Sequence, residues 1–222
     1  MVHDGTDIID KEYKDLCAEM YAKGHSFFTY ISDSADSLAS CCRLRNEVSN
    51  NTFSPTSGLT GVKTGSCNVI SLNINRIVQD WDKSIEVNPS LPHYKGFKNS
   101  FKEYLINILE RVYKYHIAYK TMLYEWESAG MFASSNGGYI QIKDLFSTVG
   151  INGLNEAAEF LGLEVSNNPD YIWFLQLILG TIKEQNAIHS IRDKKKPFLF
   201  NSEVVPAEGL GVKNYNWDKE DG

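Results

Sequence analysis

Two adjacent thiols, Cys41 and Cys42, run straight into Arg43-Leu44-Arg45-Asn46, and they are the residues of this sequence best suited to chemistry. A cysteine can be a small inert hydrophobe, a metal ligand, a nucleophile or a disulfide partner. Its weak S–H bond also suits it to carry an unpaired electron. The four cysteines, Cys17, Cys41, Cys42 and Cys67, show no repeated spacing, and sequence neighbours bridge only with strain, so reduced thiols are expected. Zinc finds neither a Cys-x-x-Cys pair nor two histidines at i, i+4, since His3, His25, His93, His116 and His189 lie far apart. Nucleophilic catalysis would need His25 or His189 brought to a thiol by the fold. Radical chemistry requires the sulfur at the tip of a loop inside a closed barrel, away from water. An apolar run before the pair, a polar run after it and a buried strand beyond suit such a loop.

Three further segments could hold a ligand. Gly58-Leu59-Thr60-Gly61-Val62-Lys63-Thr64-Gly65-Ser66 has the glycines and lysine of a phosphate loop. However, Val62 stands where that loop needs glycine, and a strand follows where it needs a helix, so a flexible loop is the better reading. Gly150-Ile151-Asn152-Gly153-Leu154-Asn155-Glu156 straddles a strand-to-helix turn, where open amides favour anions or polar ligands. Asn155 and Glu156 serve equally well as first-turn residues complementing the helix dipole. Pro206-Ala207-Glu208-Gly209-Leu210 reads as a loop terminating the last strand, with Glu208 either facing a ligand or structural.

The elements that must position these residues alternate between helix and strand periods. A helix is expected over about Asp7–Lys23, stopped by Gly24, then a strand at Ser26–Ile31. Ser32 to Ser66 has the composition of a long irregular excursion, which in a compact domain is functional or disordered. A strand follows at Asn68–Asn73, then a short helix around Arg76–Trp81 and a break at Pro89 and Pro92. The long helix from Phe97 to Trp126 carries Phe101, Leu105, Ile108, Leu109, Val112, Tyr115 and Tyr119 on one side, its aromatics belonging to core or interface. Tyr139–Ile142 alternates briefly like a strand, and Phe146–Ile151 is a second strand leading to a helix at Leu154–Leu163. Pro169 opens a helix to about Arg192, and Phe198–Val205 is the last strand. Strands alternating with helices make the chain α/β.

Composition sets bounds. At 222 residues and 42% hydrophobic content the chain can bury one substantial core. Its net charge of −6 supplies no field for nucleic acid, so any nucleotide must be gripped locally. The dense basic run Lys194-Lys195-Lys196 reads as a solvated helix C-terminus. No signal peptide and no apolar stretch long enough to span a membrane occur, so a cytoplasmic protein without membrane contact is expected. Asn50-Asn51-Thr52 fits the glycosylation pattern only formally. Tyr215 to Gly222 is polar, and the sequence reads as cut in mid-fold.

The run from Cys41-Cys42-Arg43-Leu44-Arg45-Asn46 through Gly65-Ser66-Cys67-Asn68-Val69-Ile70-Ser71-Leu72-Asn73-Ile74-Asn75-Arg76-Ile77 resembles the thiyl-cysteine finger loop and next barrel strand of anaerobic (class III) ribonucleoside-triphosphate reductases. The segments at Gly150–Glu156 and Pro206–Leu210 are similar to the family's Gly-x-x-Gly-Leu-x-Glu and Pro-x-Glu-x-Leu loops. The resemblance implies part of the ten-stranded α/β barrel of glycyl-radical and ribonucleotide reductase enzymes. Residues 1–222 would be a partial catalytic domain, with the finger loop at about 32–66 and the second half-barrel at about 67–222. It implies Cys42 as the catalytic thiyl site. Cys41, Arg43, Ser66, Asn68, Gly150, Asn152, Ala207 and Glu208 would lie at the substrate, a ribonucleoside triphosphate. The complete enzyme would use a glycyl radical made by an S-adenosylmethionine iron-sulfur activase, formate or a thiol as reductant, and structural zinc elsewhere, and would be a homodimer. No glycyl-radical motif, four-cysteine zinc knob or nucleotide-sensing cone is in this sequence. The chain alone is therefore expected to be inactive without the remaining parts of the reductase, and to hold no cofactor itself. The alternative is a non-catalytic nucleotide-binding or interaction domain of the same fold.

Overall fold

The computed structural model describes residues 2–3, 10–25, 30–31, 37–39, 45–47, 65–84, 93–205 and 208–220. The chain divides into two compact units, Met1–Gly65 with Ala133–Asp144, and Ser66–Phe132 with Leu145–Gly222. The first begins with β1 (Val2–His3), α1 (Lys11–Ala22), β2 (Tyr30–Ile31), β3 (Ser37–Ala39) and β4 (Arg45–Glu47). The second supplies β5 (Ser66–Asn73), α2 (Ile74–Ser84) and α3 (His93–Ser128), before the chain returns to the first for α4 (Ala133–Asn136) and a 3-10 turn at Ile142–Asp144. It ends in the second with β6 (Phe146–Asn152), α5 (Leu154–Phe160), α6 (Pro169–His189), β7 (Leu199–Val204) and α7 (Glu208–Glu220).

In the first unit, the Asp10 carboxylate accepts the Tyr13 N–H at 3.0 Å, capping α1, and Gly24 at φ +80° ends its last turn. β1 pairs parallel with β2. β3 and β4 pair antiparallel, Ala39 opposite Arg45 and Ser37 opposite Glu47. The irregular excursion expected over Ser32–Ser66 thus contains a strand pair. Cys41, Cys42 and Arg43 lie outside the described residues. The alternation at Tyr139–Ile142 is not a strand: the Tyr139 N–H closes back on Ser134 O and the 3-10 turn follows. Four alternating residues are too few to decide a period.

The second unit is a parallel sheet in the order β5-β6-β7, Asn73 opposite Asn152 and Ile151 opposite Val204. Sequential order with crossovers of one hand puts every crossover helix on the same face. The core agrees: Leu72, Val149, Ile151 and Phe200 of the sheet are buried with Ile74, Val78 and Trp81 of α2, Phe101, Leu105 and Leu109 of α3, Ala157 and Ala158 of α5, and Phe174, Ile178 and Ile182 of α6. Trp81 meets Phe101 edge-on, ring centroids 5.7 Å apart. Asn168 caps α6 by accepting the Tyr171 N–H at 2.8 Å, with Pro169 at the first helical position.

Three expectations are corrected here. The buried side of α3 does not continue from Val112 to Tyr115 and Tyr119, which are 70% and 37% exposed, but through Tyr113, His116, Lys120, Leu123 and Tyr124. The buried steps average near 3.6 residues, and a histidine and a lysine on the core side disguised them. The Lys120 ammonium donates to Leu145 O at 2.5 Å and lies 5.6 Å from the Tyr124 ring. Next, α6 stops at His189, so Lys194–Lys196 lie beyond it in a turn where the Asp193 carboxylate accepts the N–H groups of Lys195 and Lys196. Finally, the residues after β7 are not a loop running to a polar tail, because Glu208–Glu220 is helical.

Candidate functional site

Strand alternation divides the residues of the sheet between two faces. Ile70, Leu72, Val149, Ile151 and Phe200 face the helices. The other face carries Ser71, Asn73, Thr148, Gly150, Asn152, Asn201 and Glu203, a polar surface on a parallel sheet, whose faces are ordinarily both apolar and covered. Toward the strand N-termini the polar groups are tied together. The Ser66 and Thr148 hydroxyls lie 2.7 Å apart, the Thr148 hydroxyl donates to Asn201 Oδ1 at 2.7 Å, and Ser66 Oγ also donates to Asn68 O. Gly150 sits midway. A Cβ there would come within 2.6 Å of both Ser71 Oγ and Val205 Cγ2, so only glycine lets these side chains close over β6.

At the strand C-termini the polar groups open onto a cavity of about 240 Å³, lined by Asn73, Asn75, Asn152, Gly153, Glu156, Gly211, Asn214 and Tyr215. Local chemistry fixes its walls. Asn73 Oδ1 accepts the Arg76 N–H at 3.1 Å and closes the first turn of α2. Asn152 Oδ1 accepts the Gly153 N–H at 2.6 Å, and Gly153, at φ +74°, turns the chain into α5. Its missing side chain matters, since a Cβ would meet Asn73 Oδ1 at 3.0 Å. α7 brings Gly211, Asn214 and Tyr215 over the strand ends, the position where open α/β sheets bind ligands.

The residues expected at the substrate are distributed along this face. Gly150 and Asn152 belong to the polar face, and Asn152 lines the cavity. Ser66 lies at the opposite strand end, opposite Phe146, about 20 Å along β6 from Asn152 at the usual rise per residue. Asn68 follows the alternation of Ile70 and Leu72, the helix-packed face. Glu208 is the first residue of α7, while Cys41, Cys42, Arg43 and Ala207 lie outside the described residues. Asn73, Asn75, Asn214 and Tyr215 were missed, while Glu156, left open between a ligand role and a first-turn role, lines the cavity. A signal existed for some: both Leu72-Asn73-Ile74-Asn75 and Ile151-Asn152-Gly153-Leu154-Asn155 place asparagine at a strand-to-helix turn. Of the other thiols, Cys17 is buried on α1, and Cys67 Sγ lies 3.3 Å from Phe146 O. Among the described residues no group of three or more His, Cys, Asp or Glu could hold a metal, and no helix is long and apolar enough to cross a membrane.

A parallel sheet with helices on one face, a polar opposite face and a cavity at its strand C-termini is an α/β arrangement with its cavity where open α/β sheets hold ligands. The family model for anaerobic ribonucleoside-triphosphate reductase matches residues 1–221, and the chain belongs to that family. Among solved structures, the anaerobic ribonucleotide reductase from Thermotoga maritima with citrate in the active site superposes with a TM-score of 0.67 at 19% identity, over 99% of this chain and 37% of that one. The same enzyme with dATP bound in the specificity site gives 0.67 and 19% over 99% and 34%, and in complex with dATP and CTP gives 0.62 and 23% over 86% and 30%. These similarities show the fold, and the chain spans about a third of the length of those structures. No curated protein matches the chain.

Proposed function

We propose that the chain is the radical-bearing part of the catalytic barrel of an oxygen-sensitive ribonucleotide reductase, one that converts ribonucleoside triphosphates to deoxyribonucleotides. The observation that carries this reading is the sheet: its crossover helices pack on one side, and its other side carries Ser71, Asn73, Thr148, Asn152, Asn201 and Glu203, polar groups that suit the substrate-facing interior of a barrel. Cys42 is the residue assigned the radical because its flanking sequence resembles the family's finger loop and because β3 and β4, which precede and follow it in the chain, pair antiparallel. In the reaction, the Cys42 thiyl takes the 3′ hydrogen of the ribose and becomes a thiol, water leaves C2′, and formate or a thiol supplies the two electrons. Cys42 then returns the hydrogen to C3′. The unpaired electron would come from a glycyl radical generated by an S-adenosylmethionine iron-sulfur activase.

In this reading the finger loop covers about 32–66 and the second half-barrel about 67–222. The remaining parts of the reductase, its structural zinc and the homodimer lie outside this chain, which by itself turns over nothing. Nucleotide binding is supported by the dATP and CTP held by the Thermotoga maritima enzyme. Cys41, Arg43, Ser66, Asn68, Gly150, Asn152, Ala207 and Glu208 would contact substrate or shape its site, with Asn73 added from the cavity. The chemistry is that of a cytoplasmic enzyme working without oxygen.

The test is Cys42→Ser beside Cys41→Ser in the assembled, activated reductase under anaerobic conditions. Cys42→Ser should abolish deoxyribonucleotide formation and keep nucleoside triphosphate affinity within about twofold, because a hydroxyl binds like a thiol but its O–H bond is too strong to exchange a hydrogen atom. Turnover surviving in Cys42→Ser would leave the non-catalytic nucleotide-binding reading standing.

A further inference from the structure

A second cavity, of about 440 Å³, lies between β7 and the C-terminal half of α6 and shares no lining residue with the one at the strand ends. Two cations line it, Lys183 and Arg192, and among the described residues no carboxylate does. Neither cation has an ion pair or hydrogen bond among the described residues. The side-chain oxygens of the lining are engaged instead. Asn186 Oδ1 accepts the Tyr113 hydroxyl at 2.8 Å, Asn201 Oδ1 accepts the Thr148 hydroxyl at 2.7 Å, and Ser190 Oγ accepts the Phe200 N–H at 3.2 Å. What these side chains leave open is donors: the NH2 groups of Asn186 and Asn201 and the Ser202 hydroxyl have no partner among the described residues. Asn186 is only 6% exposed, and a carboxamide so buried loses hydrogen-bond energy unless something supplies an acceptor.

A helix C-terminus favours cations through its dipole, which would account for Lys183 and Arg192 but not for the uncharged donors beside them. The last-turn carbonyls are themselves occupied, Gln185 O by His189 Nδ1 at 3.0 Å and Asn186 O by the Ser190 hydroxyl at 2.7 Å. Two positive charges and three neutral donors without a competing carboxylate complement a ligand that carries negative charge and accepts hydrogen bonds. We infer that this cavity binds a phosphate-type oxyanion, either free or carried by a nucleotide. The inference goes beyond the radical reading, since none of the residues assigned there to the substrate lines this cavity. A chain of net charge −6 has no general attraction for such a ligand, so these groups must hold it.

Calorimetric titration of the 222-residue chain with inorganic tripolyphosphate at low ionic strength tests this. Tripolyphosphate should bind, and Lys183→Met and Arg192→Met, both at exposed positions where folding is not at stake, should each weaken it by about tenfold or more. Lys194→Met and Lys195→Met, in the denser basic run outside the cavity, should change the affinity by no more than about twofold. An equal loss in those two variants would mean diffuse attraction and overturns the site. So does an absence of binding, or undiminished affinity in Lys183→Met and Arg192→Met. Displacement of tripolyphosphate by oligoglutamate also overturns it, giving the cavity to an acidic protein partner. Displacement by a ribonucleoside triphosphate but not by the nucleoside supports the oxyanion site with a nucleotide as the source, and displacement by neither supports it with free phosphates.

Discussion

His116 shows what a single residue can cost a fold. It is fully buried on α3, its ring centroid 6.0 Å from that of Phe200, and burial lowers its pKa to about 4, a contact with the Thr148 backbone opposing this only partly. The unfolded chain binds the proton near pH 6.5 and the folded chain only near 4, so stability rises with pH across that window. It is complete above about 6.5 and falls by on the order of 3 kcal/mol as the pH drops to 4. Urea unfolding at stepped pH should show this slope, and His116→Phe should flatten it. Gly150 sets a steric limit instead. Gly150→Ala places a methyl 2.6 Å from Ser71 Oγ and should destabilise by about 1–3 kcal/mol, read from the urea midpoint at unchanged slope. Neither cost is visible in composition, because both depend on what the fold brings alongside.

At the scale of elements, helix ends were legible where their chemistry is local. Gly24 and Pro169 marked ends of α1 and α6 by the backbone conformations those residues favour, and the structure adds the Asn168 cap before Pro169. Asn168→Ala should therefore lower stability by about 1 kcal/mol, measurable as a fall in Tm of a few degrees, with little effect on the ligand cavity. The frame of α3 was legible only as far as Val112. Beyond it, the core side is occupied by His116 and Lys120, whose polar atoms make a sequence pattern look solvent-facing although Lys120 reaches the Leu145 carbonyl from inside. α7 escaped notice altogether, since a glycine-rich and polar stretch has weak helix propensity.

At the scale of the whole molecule, the decisive feature is that three consecutive parallel strands carry all their crossover helices on one side. Val69, on the polar face and 41% exposed, separates two requirements. Val69→Lys should change the stability of the chain by no more than about 0.5 kcal/mol, because the residue is exposed in this chain. On the barrel reading proposed above, the same charge would enter the lumen of the assembled reductase and should suppress turnover by tenfold or more. Parallel urea titration and anaerobic activity assays check both, and unimpaired turnover would argue against a lumen at this face.

Sequence alone determined the α/β class, the positions of β5, β6, α6 and β7 to within a few residues, and the resemblance that the family match over residues 1–221 bears out. These depend on interactions within a few residues of one another or on motifs contiguous in the chain. Only tertiary structure decided that Asn73, Asn152 and Asn214 share one cavity, that Ser66 lies at the far strand end from Asn152, and which side of α3 is buried. Strand register and helix packing join positions tens of residues apart, and no local preference encodes which distant side chains will meet.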